Sequence, residues 1–482
     1  MNTKGKKYKE LAANTAIFTI SSFGSKLLSF FLVPLYTFYL STEDYGTADI
    51  IGTTASLLIF VLTIDISDSV LRFAIERDKD QEKILSFGLK VQFSGAFVLG
   101  IVLFLLQFLN VIKWEKYCYL FLLLIFILNA VHQAVTNYLR AINKIKEVAV
   151  SGVLQTLATI LLNIFCLAFL KLGLIGYLIS GVAGFAISVL YCFMKTDVSF
   201  SELVFAKCEK TIKKEMVMYS IPLIFNGIAW WMNSSLDKYF ITSIIGIGAS
   251  GIYAVSYKIP SILTMFNQIF AQAWNLSAIK EFDKDDKDGF FSRTYTIYNA
   301  GMVLSCSLII IMNIVLAKFL YAKDFYEAWK YTSPLLISII FSALSSFVGS
   351  IFSAVKNSRI FAISTVSAAA VNTLLNAVLI PVIGIQGAAV ATAVSFMAIW
   401  LIRLVSARKY INMKLNIKRD VFAYSLLAVQ AVIEHFKDHY YVFQLLIFST
   451  LVFIYFKEIK IITGKLYSVS FKRMIQKKNA KK

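Results

Sequence analysis

Apolar runs long enough to cross a membrane recur along the whole chain, and they constrain the fold more than any other feature. A run of about 20 residues spans roughly 30 Å of hydrocarbon as an α-helix. The composition agrees, since 58% of the residues are hydrophobic and 16% are charged. Lipid offers backbone polar groups no outside partner, so we predict an all-α polytopic membrane protein with about 14 transmembrane helices. The predicted spans are residues 12–39, 46–71, 84–109, 118–139, 149–170, 173–194, 216–243, 250–275, 294–317, 331–353, 360–380, 384–405, 420–434 and 440–456.

The net charge of +20 raises the question of whether this chain binds nucleic acid. If the N-terminus is cytoplasmic, the loops on its side of the membrane hold 37 of the 48 Lys and Arg residues, and the opposite loops hold seven. This asymmetry follows the positive-inside rule and predicts that both termini are cytoplasmic. We therefore expect no nucleic-acid partner. A solvated tail is the simpler interpretation of the basic residues at 461–482, and contact with anionic membrane lipids is the alternative.

Two stretches about 213 residues apart share a pattern of Ala, then Asn 22 residues later, then Gly-x-x-Gly. The members are Ala141, Asn163, Gly173 and Gly176 in the first stretch, and Ala354, Asn376, Gly384 and Gly387 in the second. A shorter echo links residues 45–48 to residues 251–254. Chance recurrence in apolar helices is the alternative to a duplication. The duplication predicts two similarly oriented lobes around a central cavity. The predicted domains are a six-helix lobe at 1–200, a second six-helix lobe at 201–410, an extra helix pair at 411–460 and a cytoplasmic tail at 461–482.

Four lysines fall inside predicted spans: Lys26, Lys90, Lys238 and Lys258. A lysine at the centre of a membrane helix costs about 3 kcal/mol on insertion scales, so it needs a reason to be there. Lys90 and Lys238 lie near span ends, from which their ammonium groups can reach the interface. We expect Lys26 and Lys258 to face a cavity, where they would select an anionic cargo such as a diphosphate.

Polar residues also share helical faces on the first, second, seventh and eighth spans. These faces hold Thr15, Thr19, Ser22 and Lys26; Asp65, Asp68, Arg72 and Glu76; Asn226, Trp230, Asn233 and Asp237; and Lys258, Met265 and Gln272. Helix–helix hydrogen bonding is the simpler explanation. The functional interpretation assigns substrate binding to Lys26, Lys238, Lys258 and Arg72, and ion coupling to Asp65, Asp68 and Asp237. The spacing also lets Asp68 pair with Arg72. Trp230 and Trp274 are candidates for stacking on sugar rings, with packing as the alternative.

Several short sequence landmarks occur in a characteristic order. No single landmark is specific, but their order and spacing together are. They are Asn14, Pro34-Leu35-Tyr36, Tyr45-Gly46, Arg72-Phe73, Asp237-Lys238, the run Gly251 to Ile259, Gln272-Ala273-Trp274, Asn376, Gly384 and Gly387. Over about residues 8–410 the chain resembles the oligosaccharide-flippase branch of the multidrug/oligosaccharidyl-lipid/polysaccharide (MOP) exporter superfamily.

The resemblance implies export of undecaprenyl-diphosphate-linked repeat units across the bacterial inner membrane by alternating access, for O-antigen, capsule or other surface polysaccharide. It implies a lipid-linked oligosaccharide and membrane lipids as molecular partners, and a polysaccharide polymerase and other assembly proteins as protein partners. The family's cationic cavity corresponds to Lys26, Lys238 and Lys258, while Arg72 and Asp237 match recurrent charged positions.

Two transporters of the same superfamily stay open as alternatives, a cation-coupled multidrug exporter and a peptidoglycan lipid II flippase. A drug exporter usually handles cations and favours a cavity rich in Asp and Glu, whereas here lysines and Asp237 coexist. A membrane enzyme is not expected, because the longest outer loop, near residues 318–330, is too short for a domain. The sequence also lacks a nucleotide-binding loop and metal-ligand cysteine spacings, so we predict no cofactor and no metal site.

Overall fold

The computed structural model describes residues 23–76, 80–111, 114–199, 206, 208–355, 357, 359–436 and 440–461. Throughout these residues the regular structure is helical and contains no β-strand, which confirms the predicted all-α class. The helices are α1 (23–31), α2 (Val33–Tyr39), α3 (Thr42–Leu62), α4 (Ile66–Glu76), α5 (Gln81–Phe108), α6 (Lys116–Ala141), α7 (Ile145–Asn163), α8 (Gly173–Met194), α9 (Lys210–Ile244), α10 (Ile247–Ser256), α11 (Pro260–Lys280), α12 (Phe290–Leu320), α13 (Trp329–Ala354), α14 (Arg359–Ile383), α15 (Ile385–Ala407), α16 (Ile417–Ile433) and α17 (Tyr440–Ile454).

Every predicted span overlaps at least one described helix. Of the described helices, nine candidate spans are long and apolar enough to cross a membrane. The count of 14 spans therefore stays a prediction. The polar face at Thr15, Thr19 and Ser22, and the tail beyond residue 461, lie outside the described residues.

Packing divides the chain into two compact units. The first runs to Ala254 and includes Leu320–Phe325, and the second comprises Val255–Phe319 and the chain from Tyr326 onward. In the first unit, α4, α5 and α6 share an apolar core with the start of α9, where Met216 is fully buried. These units are defined by packing, whereas the lobes proposed at 1–200 and 201–410 are defined by sequence repetition, so the lobe boundaries stay a prediction.

The second predicted span is broken rather than continuous. Between α3 and α4, Ile64 and Asp65 have φ angles of 49° and 51°, in the left-handed region that a β-branched residue rarely adopts. The break is held from α9, because the Ser220 hydroxyl donates to the Asp65 carbonyl at 3.3 Å and lies 2.7 Å from the Ser69 hydroxyl. The sequence predicted that Asp65 and Asp68 share a helical face. The break shows that this prediction was wrong, because Asp65 precedes α4 and lies outside it.

The repeated glycines occupy equivalent places in the backbone. Gly173 and Gly384 have φ angles of 54° and 62° beside the starts of α8 and α15, a conformation that glycine adopts without strain. A Cβ on Gly176 would lie 2.9 Å from the Leu172 Cβ, and one on Gly387 would lie 2.6 Å from the Leu379 carbonyl. Each glycine pair thus permits a tight turn followed by close approach to the preceding segment.

Candidate functional site

A close crossing of α3 and α10 forms the frame of the candidate site. A Cβ on Gly46 would lie 2.2 Å from the Ile247 carbonyl oxygen, and a Cβ on Gly251 would lie 2.0 Å from the Thr42 carbonyl oxygen. Neither position tolerates a side chain without moving a helix. The glycines let the two backbones touch, as small residues do at membrane helix interfaces.

One turn beyond Gly46, Asp49 forms an ion pair with Lys238 of α9. The Lys238 Nζ lies 2.8 Å from Asp49 Oδ2 and donates to Oδ1 at 3.1 Å. The side chains are 12% and 21% exposed, respectively, so the pair is largely withdrawn from solvent. Lys238 therefore does not depend on reaching the interface, because the carboxylate neutralises it within the fold.

Asp237, the residue before Lys238, is held by a tyrosine. Asp237 is 1% exposed, and the Tyr253 hydroxyl of α10 donates to its Oδ2 at 2.5 Å. The Lys238 backbone N–H donates to Oδ1 at 3.0 Å. Two adjacent residues of α9 thus direct a carboxylate to α10 and an ammonium group to α3.

Aromatic and hydroxyl groups continue the α3–α9 contact. The Tyr239 hydroxyl lies 2.6 Å from the Thr54 hydroxyl, and the Trp231 indole N–H donates to the Thr53 carbonyl at 2.9 Å. The Trp231 and Tyr239 rings lie 5.4 Å apart. These uncharged hydrogen bonds fix α9 against α3 and hold the ion pair in position.

The charges on α4 are arranged differently from the prediction. Arg72 pairs with Glu76 at 2.6 Å instead of with Asp68, and the two side chains are 58% and 47% exposed. Asp68 accepts a hydrogen bond from the Asn137 Nδ2 of α6 at 3.3 Å. Asp65 is buried at the helix break. Arg72 is thus part of an accessible pair, whereas Asp65 lies in the packed interior of the first unit.

The remaining predicted cations belong to different units. Lys26 lies in α1, half-buried, within the first unit. Lys258 is half-buried in the second unit, between α10 and α11, where Pro260 starts the new helix. The eighth predicted span is therefore broken at Lys258, since proline cannot donate the backbone hydrogen bond that would continue α10.

The two tryptophans proposed for sugar stacking have different surroundings. Trp274 is 3% exposed, its ring stacks on Phe347 at 4.0 Å, and its indole N–H donates to the Phe347 carbonyl at 3.1 Å. In this conformation Trp274 is a packing residue of the second unit. Trp230 is 41% exposed and presents its ring at the surface of the first unit.

Asp49 and Tyr253 were not predicted as site residues. Both carry a signal in the sequence, because Asp49 is a carboxylate inside a span and Tyr253 belongs to the repeated segment at 251–254. The polar face predicted on the second span began at Asp65, and so missed the turn that follows Gly46. Within the described residues, no cluster of three His, Cys, Asp or Glu side chains could hold a metal ion.

Residues 11–275, more than half of the chain, match the polysaccharide biosynthesis protein family. The chain belongs to that family. An uncharacterized membrane protein of Methanocaldococcus jannaschii is 23% identical over 418 residues, which cover 81% of this chain and 96% of that relative.

Solved structures share the fold of this family member. The lipid II flippase MurJ in an inward closed conformation superposes with a TM-score of 0.70 at 16% identity, covering 94% of this chain and all of that one. An inward-facing multidrug resistance MATE family transporter of the MOP superfamily gives 0.63 at 11% identity, covering 84% and 96%. The family match places this chain among polysaccharide biosynthesis proteins, and the solved structures show that it shares the helical fold of MurJ and of the MATE transporter.

Proposed function

We propose that this protein flips an undecaprenyl-diphosphate-linked oligosaccharide repeat unit from the cytoplasmic to the outer face of the bacterial inner membrane. The product would feed O-antigen or capsule assembly, with a polysaccharide polymerase and other assembly proteins as partners. The match to a polysaccharide biosynthesis family supports this cargo class. Alternating access is the transport mechanism that we propose.

The observation that carries the proposal is the withdrawn Asp49–Lys238 pair. A diphosphate reaching Lys238 would compete with Asp49 for the ammonium group, since lysine binds phosphate as a point charge. Cargo arrival and loosening of the α3–α9 contact would then be one event. We propose Lys26, Lys258 and Arg72 as contacts to the cargo at other positions along its path. Arg72 lies one turn after Ser69, which contacts Ser220 of α9, and Ser220 is about 27 Å along that helix from Lys238.

We propose Asp237, Asp65 and Asp68 as groups that could take up a coupling ion, and Trp230 as the ring that stacks on sugar. Ion coupling is not energetically required. An inside-negative membrane potential favours export of an anion by about 2.3 kcal/mol per charge for each 100 mV. The membrane potential thus favours export of a diphosphate cargo with or without a coupling ion.

The test is movement of labelled undecaprenyl-diphosphate oligosaccharide in proteoliposomes. We expect Lys26→Ala and Lys258→Ala each to slow flipping about tenfold, the loss expected when one hydrogen bond to a charged group is removed. Lys90→Ala is the matched control, because Lys90 is another lysine of a predicted span but is exposed and donates to the Ala206 carbonyl at 2.9 Å.

Two outcomes would replace the proposal. Wild-type protein that moves an organic cation but no lipid-linked sugar would make it a multidrug exporter. Protein that moves lipid II at least as fast as the oligosaccharide lipid would make it a peptidoglycan-precursor flippase. Equal flipping by the Lys90, Lys26 and Lys258 variants would remove the lysines from the cargo site.

A further inference from the structure

The second unit contains an apolar groove that the transport site does not use. It has a volume of about 890 Å³ and is lined by α13, α15 and α16. Along α15 the lining runs from Gln386 to Leu401, which at 1.5 Å per residue is about 22 Å. The groove is therefore longer than one leaflet of hydrocarbon, roughly 15 Å, and has the size of a typical ligand pocket.

Polar side chains that can reach a ligand gather at one end of this groove. Lys330 at the start of α13, Gln386 at the start of α15 and His435 just after α16 line the same end, which is consistent with α13 and α15 running in one direction and α16 in the opposite one. Deeper in the groove, the Tyr424 hydroxyl is already committed to Asn299 at 2.9 Å. The groove thus has a polar rim and an apolar body, the arrangement that an amphiphile requires.

The rim presents one unsatisfied hydrogen-bond acceptor and one cationic group to a ligand. The Gln386 Oε1 atom is buried and accepts no hydrogen bond from any described residue, which leaves an acceptor in need of a donor. Lys330 is 40% exposed and can bind an anion, although it also lies 3.0 Å from Glu327. The N-termini of α13 and α15 end at the rim and add positive electrostatic potential, which the C-terminus of α16 offsets in part.

We infer that this groove binds one anionic glycerophospholipid, phosphatidylglycerol, as a structural lipid. Its phosphate meets Lys330, a glycerol hydroxyl donates to the Gln386 Oε1, and one acyl chain fills the apolar body. A headgroup with hydroxyl donors explains the unsatisfied Gln386 acceptor, which a choline headgroup cannot satisfy because it has no donor. The His435 ring, 5.4 Å from the Trp329 ring, also lines the rim.

The experiment is native mass spectrometry of the full chain, delipidated and then mixed with phosphatidylglycerol, phosphatidylcholine or phosphatidic acid of equal acyl length. We expect selective retention of one phosphatidylglycerol. Lys330→Ala should weaken that retention about fivefold, the effect of one lysine near an anionic lipid, and Lys330→Arg should restore most of it. Gln386→Leu should abolish the preference for phosphatidylglycerol over phosphatidic acid, because both carry phosphate but only the former has glycerol hydroxyls.

Groove-filling variants separate a bound lipid from ordinary surrounding lipid. Ala393→Trp and Ala428→Trp place an indole in the groove from α15 and α16, and should eject the retained lipid. Ala370→Trp, on an exposed position of α14 outside the groove, should leave it bound. Equal retention by all three tryptophan variants, or equal retention of phosphatidylcholine, would overturn the inference. Displacement by equimolar undecaprenyl diphosphate would also overturn it, because the groove would then be a cargo site.

Discussion

Lys238 shows how this chain carries a charge inside a membrane helix. Its ammonium group is paired with Asp49 on another helix, and the neighbouring Asp237 carboxylate is satisfied by the Tyr253 hydroxyl. A lone buried charge would cost several kcal/mol, whereas a paired and hydrogen-bonded charge is tolerated. The site is therefore electrostatically balanced at this position instead of uniformly cationic, and the anionic cargo that we propose would compete with a carboxylate.

The first prediction at this scale concerns that pair. We expect Asp49→Asn and Lys238→Met each to destabilise the protein by about 1–3 kcal/mol, below the 3–5 kcal/mol of a fully buried pair because both groups keep some exposure. The double variant should be more stable than the sum of the single effects predicts. Thermal unfolding in detergent measures this coupling. Additive losses in the double variant would mean that the two residues do not interact.

Sequence reasoning identified Lys238 but not its partner. The lysine was visible as an isolated charge inside an apolar span, whereas Asp49 lies near the start of its predicted span and gives a weaker signal. Pairing across 189 residues depends on how α3 meets α9, which helical periodicity alone does not encode. The same limit explains Trp274, because only packing reveals that its ring is covered by Phe347.

In the first unit, the distance between paired helices depends on where a glycine leaves room for the neighbouring backbone. The α3–α10 crossing brings Asp49 and Tyr253 to neighbouring turns, because Gly46 and Gly251 remove the atoms that would separate the backbones. A second close approach occurs where Gly227 of α9 packs under the Phe60 ring of α3. These contacts determine the separation of the helices that carry the ion pair.

A glycine series tests the crossing at the scale of the element. We expect Gly46→Ala and Gly251→Ala each to lower stability by about 1–3 kcal/mol, because an added Cβ overlaps a backbone carbonyl that cannot rotate away. Gly52→Ala is the control on the same helix, since a Cβ there meets nothing within 4 Å. It should be neutral or stabilising, because alanine favours helix. A melting temperature unchanged in all three variants would show that the crossing is loose.

Element positions were largely predictable, and element breaks were not. Apolar length located the helices because the hydrocarbon thickness fixes how much chain a span needs. The breaks at Ile64–Asp65 and at Lys258 escaped that reasoning, since apolar runs continue through both. Pro260 gave a local signal for the second break, but the first break is held by Ser220, which lies 155 residues away from Asp65.

At the scale of the whole molecule, the loop charges predict which side of the membrane each segment faces. The structure supplies exposed loop positions for a test, namely Asp285 between α11 and α12 and Asp324 before α13. All five native cysteines are buried, so they give little background to a thiol reagent. We expect Asp324→Cys to react with an impermeant maleimide in intact cells and Asp285→Cys to react only after lysis. The reverse pattern would invert the topology, with both termini outside.

The family assignment and the all-α transporter fold were also predictable from the sequence, because ordered landmarks and apolar spans survive at low identity. The cargo and the lobe boundaries stay predictions. Chain packing places residues 255–319 in a different unit from residues 320–325, although α12 is continuous through that boundary. Sequence repetition and physical packing therefore divide this molecule at different places.

The α3–α10 crossing has a geometric property that bears on how the fold could have arisen. Gly46 lies against the carbonyl of Ile247, four residues before Gly251, and Gly251 lies against the carbonyl of Thr42, four residues before Gly46. Each helix offers the other the same surface, which is the defining feature of an isologous contact between two copies of one chain. An ancestor containing a single such helix could make this contact by homodimerisation. Gene duplication would then only have had to join two copies that already contacted each other into one chain.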